Sequence, residues 1–509
     1  MAEVLQNLGL GFSTALAPTN FFYALLGCFV GTLVGVLPGV GPLAGISLLL
    51  STTYSLNPTS GLIFLAGIFY GAMYGGSTTS ILMRIPGEAA SIVTCIDGYA
   101  MARKGRAGSA LAISAIGSFI AGTVGIVGLM FLAPPLARLA LRFGPPEYFS
   151  LMFLGLLVLC YMTGGSMVKN VSMLAFGLFL GTIGMDPMTG YLRFSYGIVD
   201  LGDGIGVIPV AIGLFGIAEI LATAGQKIRP EIIKPKLKDL TPSRQEFKDS
   251  IMPIFRGTFL GFIIGIIPGS AHVISTFISY AVERRVSKHP EKFGHGAIEG
   301  VAGPESANNS ASSGALVPML ALGVPTGPIP AVLLAALMVH GITPGPLFIK
   351  EQPEIFWGLI ASMYVGNLVL LLLNLPLVGI FVNFLRIPYK ILYPMILMFC
   401  TIGVYAVNTS FVDLGIMSIM GLLGYILRKF DFETAPVILG VVLAPIIEMS
   451  LRQTLTLSKG SYAILIQRPI SITFLGAALI IILMALRPLI RRGMDYGWRK
   501  KLTQASKND

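Results

Sequence analysis

Two runs of small polar residues stand inside otherwise apolar stretches: Gly75-Gly76-Ser77-Thr78-Thr79-Ser80 and Asn308-Asn309-Ser310-Ala311-Ser312-Ser313-Gly314. Hydroxyls and amides donate to a carboxylate or accept for a cation, so Ser77, Thr78, Thr79, Ser80, Asn308, Asn309, Ser310, Ser312 and Ser313 are candidates for holding a small anion. The bland alternative is real. Small residues also line tight helix contacts in membranes, and a buried Ser or Thr can satisfy its own i−4 carbonyl. What sets these runs apart is that each lies downstream of a Pro-Gly pair in an apolar segment.

The first pair closes Gly31-Thr32-Leu33-Val34-Gly35-Val36-Leu37-Pro38-Gly39, and the second closes Gly261-Phe262-Ile263-Ile264-Gly265-Ile266-Ile267-Pro268-Gly269, 230 positions later (261 − 31). Proline removes a backbone donor and clashes with the preceding turn, while glycine tolerates nearly any backbone conformation, so both helices break here. In lipid an unpaired backbone group is expensive and survives only beside protein or a water-filled cavity. A half-helix N-terminus at such a break favours an anion, and freed carbonyls suit Na⁺. Pro38, Gly39, Gly41, Gly269, Ser270 and His272 therefore join the substrate-binding candidates. Gly39, Pro86, Gly87, Gly269, Pro325 and Thr326 are candidates for coupling to an ion.

The elements that must position these residues are membrane helices. Of 509 residues 54% are hydrophobic, mean hydropathy is +0.81 and only 12% are charged, against about 25% in soluble domains. No cleavable-signal pattern opens the sequence. The net charge of +11 does not imply nucleic acid, because Lys and Arg cluster in short loops at 103–106, 227–248, 284–292 and 491–501. The four cysteines and four histidines lack metal-ligand spacing, no P-loop is present, and no catalytic dyad is visible, so the chain is not expected to be an enzyme or to need a cofactor.

A second matched element runs from Gly71-Ala72 to Ile85-Pro86-Gly87 and from Ser310-Ala311 to Val324-Pro325-Thr326, offset by 239 (325 − 86). A weaker echo links Pro209–Gly213 with Pro436–Gly440. After the first element, loop 51–60 is uncharged while loop 282–296 is rich in Lys and Arg; after the second element the pattern reverses, with basic 103–106 against uncharged 340–347. By the positive-inside rule, matched elements end on opposite sides of the membrane. The expected fold is an all-α polytopic membrane protein of two inverted-topology repeats with broken or re-entrant helices and about 10–12 spanning segments. The expected divisions are 1–224, first repeat; 225–256, basic cytoplasmic linker; 257–490, second repeat; and 491–509, basic cytoplasmic tail. Among intramembrane ionisable residues, Glu88 and His272 are expected beside the cavity, and Glu219 and Glu448 at helix ends. Asp97, Glu299 and Glu305 are expected to balance charge near the basic loops.

At residues 35–42, 70–84 with Pro86-Gly87-Glu88, Asp97-Gly98-Tyr99, Pro268-Gly269, Glu299–Asn309, Gly323-Val324-Pro325 and 340–346, the chain resembles the large membrane subunit of the bacterial tripartite tricarboxylate transporters. The resemblance covers nearly the whole chain. It implies a cation-coupled (Na⁺ or H⁺) secondary transporter in the bacterial inner membrane. A periplasmic solute-binding protein would deliver citrate or a related carboxylate, and a small membrane subunit would complete the complex. The uncharged loops 51–60 and 340–347 would face the binding protein. A passive organic-anion channel and an intramembrane enzyme are the rival readings.

Overall fold

The computed structural model describes residues 2–37, 41–163, 165–223, 233, 240–269, 271–385 and 389–485. Among them, eight helices are long and apolar enough to cross a bilayer: Pro18–Val36, Pro58–Met83, Ala107–Ala140, Pro145–Met162, Arg244–Ile266, Pro353–Asn374, Phe411–Lys429 and Ala435–Leu457. Shorter apolar helices at Met167–Leu180, Val207–Thr223, Pro328–Val339, Tyr393–Asn408 and Pro469–Ala485 fill the remaining layers. Strand is confined, in the described residues, to a two-residue pairing of Gly184–Met185 with Leu192–Arg193. The protein is an all-α polytopic membrane protein.

Glycine spacing explains how the central helices meet. Gly27, Gly31 and Gly35 recur every four residues, so they share one face of Pro18–Val36. A Cβ added to them would lie 2.4, 2.5 and 2.3 Å from the carbonyl oxygens of Phe64, Ile68 and Ala72 on Pro58–Met83. Only glycine admits backbone that close. Gly257, Gly261 and Gly265 do the same on Arg244–Ile266, where a Cβ would lie 2.2, 2.2 and 2.5 Å from the carbonyl oxygens of Gly303, Ala307 and Ala311. Residue for residue, the second contact sits 230 positions on along the first helix and 239 along its partner. Those are the offsets of the sequence motifs. The reciprocal contacts match as well: Gly75 closes on the Thr32 carbonyl and Gly314 on that of Phe262.

The ends of the two partner helices also correspond. Pro58–Met83 stops at Arg84 (φ 57°) and Glu299–Leu322 at Gly323 (φ 71°), both left-handed and again 239 apart. Burial separates inside from outside: 89% of the apolar window of Pro58–Met83 is buried, against 28% for Phe411–Lys429.

The peripheral helices exchange partners between halves. Met167–Leu180 packs on Ala435–Leu457, with Gly177 against the Val437 carbonyl, while Val207–Thr223 packs on Phe411–Lys429, with Gly213 against the Met417 carbonyl. Each half thus completes the other, and one continuous apolar core runs from Ala44 to Leu443.

Loops from both halves meet at one end. Arg106 pairs with Glu246 at 2.6 Å and Lys104 Nζ donates to the His295 carbonyl at 2.7 Å. Asp97, expected to balance charge there, is instead fully buried. Its Oδ1 accepts from the backbone N–H groups of Gly294, Gly296 and Ala297 and its Oδ2 from the Tyr280 hydroxyl, because the loop turns its unpaired donors inward. Far along Ala435–Leu457 from the cavity described below, Glu448 and Arg452 clamp the short hairpin. Arg193 pairs with Glu448 at 2.6 Å and Arg452 with Asp186 at 2.8 Å. Glu219 pairs with Arg428. Both glutamates therefore have arginine partners, but only Glu219 lies near a helix end; Glu448 stands in the middle of Ala435–Leu457.

Candidate functional site

A cavity of about 610 Å³ lies where the broken elements converge, within the range of small-ligand sites. Four helices begin at its wall. Gly41–Leu50 contributes Gly41, Pro42 and Leu43; Ala271–Val286 contributes Ala271, His272 and Val273; Pro328–Val339 is entered through Thr326 and Gly327; and Ala435–Leu457 is entered through Thr434. Gly41–Leu50 rises only about 15 Å at 1.5 Å per residue, half the hydrocarbon thickness, so its start is buried at depth. The starts at Pro328 and Ala435 carry no side-chain cap. Pro328, Pro330 and Pro436 carry no N–H and Val437 N–H returns to the Thr434 carbonyl, so the open donors at these two starts are the Ile329 and Ala435 N–H groups. Four positive dipole ends face one space.

The remaining wall is mixed. Met73, Phe215 and Ile329 supply apolar surface; Glu88, His272, Thr163 and the Glu219–Arg428 pair supply polar groups. A π-helical turn at Ile212–Ile217 precedes Glu219 and carries Phe215. The His272 ring meets Phe69 edge-on at 5.5 Å, and its Nε2 is buried without a partner. Gly269 sits at φ 143°, and a side chain there would lie 2.6 Å from Met162 Cβ, so the break needs glycine. Its N–H donates to the Thr326 carbonyl at 2.7 Å, joining the two breaks of the second half.

Among the sequence candidates, the structure brings Gly41, Gly269, His272 and Thr326 to the cavity wall. Pro86, Gly87 and Pro325 stand beside the lining residues Glu88 and Thr326 without lining the space themselves. Pro38, Gly39 and Ser270 lie outside the described residues.

The polar runs form a buried layer behind the wall. Asn308 Nδ2 donates to Glu88 Oε1 at 2.7 Å, Ser80 to Ser91 at 2.9 Å, and Asn309 to Ser118 at 2.7 Å. Thr79 donates at 2.6 Å to the Val36 carbonyl, one of the acceptors freed where the first helix ends. Thr78, Ser310, Ser312 and Ser313 are likewise buried on the two central helices. Ser312 returns to the Asn308 carbonyl at 3.3 Å.

Glu305 departs from its expected place among the basic loops. It is 1% exposed and accepts from the Ser77 and Thr94 hydroxyls, since Glu299–Leu322 runs through the protein core. Sequence reading missed the wall formed by Thr163, Gly165, Arg428 and residues 431–435. The signals were there: Thr163-Gly164-Gly165-Ser166 interrupts an apolar stretch, and Arg428–Thr434 is a charged break between two others.

The family described as "Tripartite tricarboxylate transporter TctA family" matches residues 21–439. An uncharacterized 52.8 kDa protein of the TAR-I ttuC' 3' region of Agrobacterium vitis is 48% identical over 495 residues, covering 97% of this chain and 99% of that relative. A second uncharacterized protein, from the TAR-II ttuC' 3' region of the same organism, is 46% identical over 235 residues, 46% of this chain and 97% of its own length. No solved structure matches.

Proposed function

The chain belongs to the tripartite tricarboxylate transporter TctA family, and from that premise we propose that it is the large membrane permease of a cation-coupled carrier importing a di- or tricarboxylate. The observation that carries this reading is the convergence of four helix N-termini on one cavity. Backbone donors and dipole ends bind a polyanion without burying a fixed cation, whose desolvation would oppose release. His272 and the Ile329 and Ala435 N–H groups orient the carboxylates.

Two repeats of inverted topology make this a carrier. The paired glycine contacts at offsets of 230 and 239 support duplication. Inversion is supported by the meeting of loop 103–106, which follows the second element of one half, with loop 287–298, which follows the first element of the other. That basic end, with the linker and the C-terminal tail, faces the cytoplasm of a bacterial inner membrane. A periplasmic solute-binding protein docks on the opposite face and delivers substrate, and a small membrane subunit completes the complex. The coupling cation is H⁺ or Na⁺.

The test is citrate uptake into proteoliposomes holding this chain, the small subunit and the binding protein. Accumulation should require the binding protein and an ion gradient, and should fall at least tenfold in His272→Ala. Uptake that persists after both gradients are collapsed would make the protein a passive channel. Failure to take up any member of a di- and tricarboxylate panel would remove the substrate class.

A further inference from the structure

Two carboxyl groups, Glu88 and Glu305, stand in the polar layer behind the cavity, 9% and 1% exposed. They meet across one turn of Pro58–Met83: the Glu88 side chain packs on Gly76, and the next residue, Ser77, donates to Glu305. Among the described residues, neither has a lysine, arginine or histidine within ion-pair distance. Glu305 accepts from Ser77 on Pro58–Met83 and from Thr94 on Thr94–Arg103, with Ser114 of Ala107–Ala140 close by. Glu88 accepts from Asn308, one helical turn beyond Glu305 on the same helix.

The other charged groups on the packed elements are committed elsewhere. Arg84 is exposed and lies over the Tyr99 ring, Asp97 holds backbone N–H groups of the 294–297 loop, Glu299 is met by the Ser287 hydroxyl, Glu283 pairs with Arg256, and Arg106 pairs with Glu246. Glu88 shares the cavity wall with His272, Asp431, Glu433 and the Glu219–Arg428 pair, and the Cys95 thiol is buried on Thr94–Arg103 beside Thr94.

Two bare carboxylates buried together without a cation cannot both remain ionised. A second observation calls for a positive occupant or an O–H donor here: Asn308 is 1% exposed, and its Oδ1, purely an acceptor, has no partner. Resting on the transporter reading above, we infer that Glu305 and Glu88 form a single proton-binding site that couples substrate import to H⁺ entry.

The coupling follows from position. Glu88 is a cavity wall residue. A carboxylate substrate arriving beside it meets a like charge unless Glu88 is neutral, so proton and substrate raise each other's affinity by the same factor. The proton enters onto Glu88 from the cavity and is shared with Glu305 while substrate is bound. It leaves Glu88 to water once the substrate has gone, and no other bond changes. Backbone carbonyls make a poorer coupling site here: the Val36 and Thr326 oxygens are already taken by Thr79 and Gly269.

The test uses the full chain in lipid. Infrared difference spectra at neutral pH should show a protonated-carboxyl band that disappears in Glu88→Gln/Glu305→Gln. The band should move in Ser77→Ala, which keeps both acids and removes one donor. The other buried acids named here hold arginine or N–H partners, and the double variant leaves them untouched. A band unchanged in the double variant, no band in wild type, or a band abolished by adding Na⁺ at constant pH would overturn the proposal, the last in favour of a sodium site. In proteoliposomes of the complete complex, the ratio of pH-driven citrate accumulation to citrate counterflow should fall at least tenfold in Glu305→Gln. An unchanged ratio would also overturn it. If wild type moves no carboxylate at all, the transporter reading fails, while the infrared result still decides the proton site.

Discussion

Replacing Gly261 by alanine places a methyl group 2.2 Å from the Ala307 carbonyl oxygen and 2.6 Å from its Cα. Real Cβ atoms do not approach heavy atoms closer than 3.0 Å, so Arg244–Ile266 and Glu299–Leu322 must part by at least 0.8 Å. A gap of that size forfeits about a quarter to a half of each atom pair's ~0.1–0.2 kcal/mol. If it opens about fifty pairs, as many as one buried leucine makes, the loss is about 1–5 kcal/mol. That agrees with the ~1–3 kcal/mol typical of overpacking. Gly31→Ala, the position 230 residues earlier, needs only 0.5 Å, from 2.5 to 3.0 Å against the Ile68 oxygen, and should cost about 1–2 kcal/mol by the same reasoning. Gly415→Ala, with nothing within 4 Å of the new Cβ, should gain up to ~1 kcal/mol from helix propensity. Survival in size-exclusion profiles after graded heating of protein in nanodiscs gives the midpoints. The expected order is Gly415→Ala above wild type, then Gly31→Ala, then Gly261→Ala lowest. Gly261→Ala melting with Gly415→Ala would refute the zipper geometry and with it the structural correspondence of the halves.

Asp97→Asn weakens the acceptor for three loop N–H groups; at ~1.5–3 kcal/mol for each bond to a charged group, loop 287–298 should open and proteolysis at exposed Lys288 should quicken at least tenfold. Gly323→Ala forces a Cβ into a left-handed position, 2.6 Å from the Pro344 carbonyl, and should cost about 1–2 kcal/mol or more in the same melts; Arg84→Gly at the matching position should be neutral or better. Asp186 is held down at about 2 by the Met188 N–H above all, then by the Thr189 N–H and Arg452, against the opposing effect of burial. Because the folded value lies below the ordinary 3.8, its stabilising effect is complete above about pH 5 and is lost as pH falls through about 2. The melting difference between wild type and Asp186→Asn should therefore vanish over that window, and a constant difference would argue against the Arg452 clamp.

The matched glycine contacts of this fold were legible because the physics behind them is local. A glycine every fourth residue, a Pro-Gly break and a left-handed helix end leave marks readable at fixed offsets, as at Gly31 and Gly261 or Arg84 and Gly323. The exchange of peripheral helices was not legible, since nothing in the sequence of Met167–Leu180 says that its partner is Ala435–Leu457. The candidate site was half legible for the same reason. Gly41, Gly269, His272 and Thr326 reach the cavity because breaks put them there, whereas Thr163, Arg428 and residues 431–435 reach it through that long-range exchange. Glu305 misled because proximity in sequence to basic residues suggested a charge-balancing role, while the helix starting at Glu299 carries it about 9 Å further in at 1.5 Å per residue.

That depth links the two polar layers to a division of labour. A hydroxyl run in direct contact with substrate would need donors free to turn toward the cavity. Here Thr79 is committed to Val36, Ser80 to Ser91 and Asn309 to Ser118. On the proposed transporter reading, substrate recognition falls to the dipole ends at the helix starts and to His272, and not to these committed hydroxyls. The buried hydroxyls and amides hold the breaks in shape and solvate the two acids. A variant such as Thr79→Val should accordingly act by unfastening the first break, lowering stability and transport together, whereas His272→Ala should weaken transport with the melting point unchanged. Equal loss of stability in both would dissolve the distinction between the wall and the layer behind it.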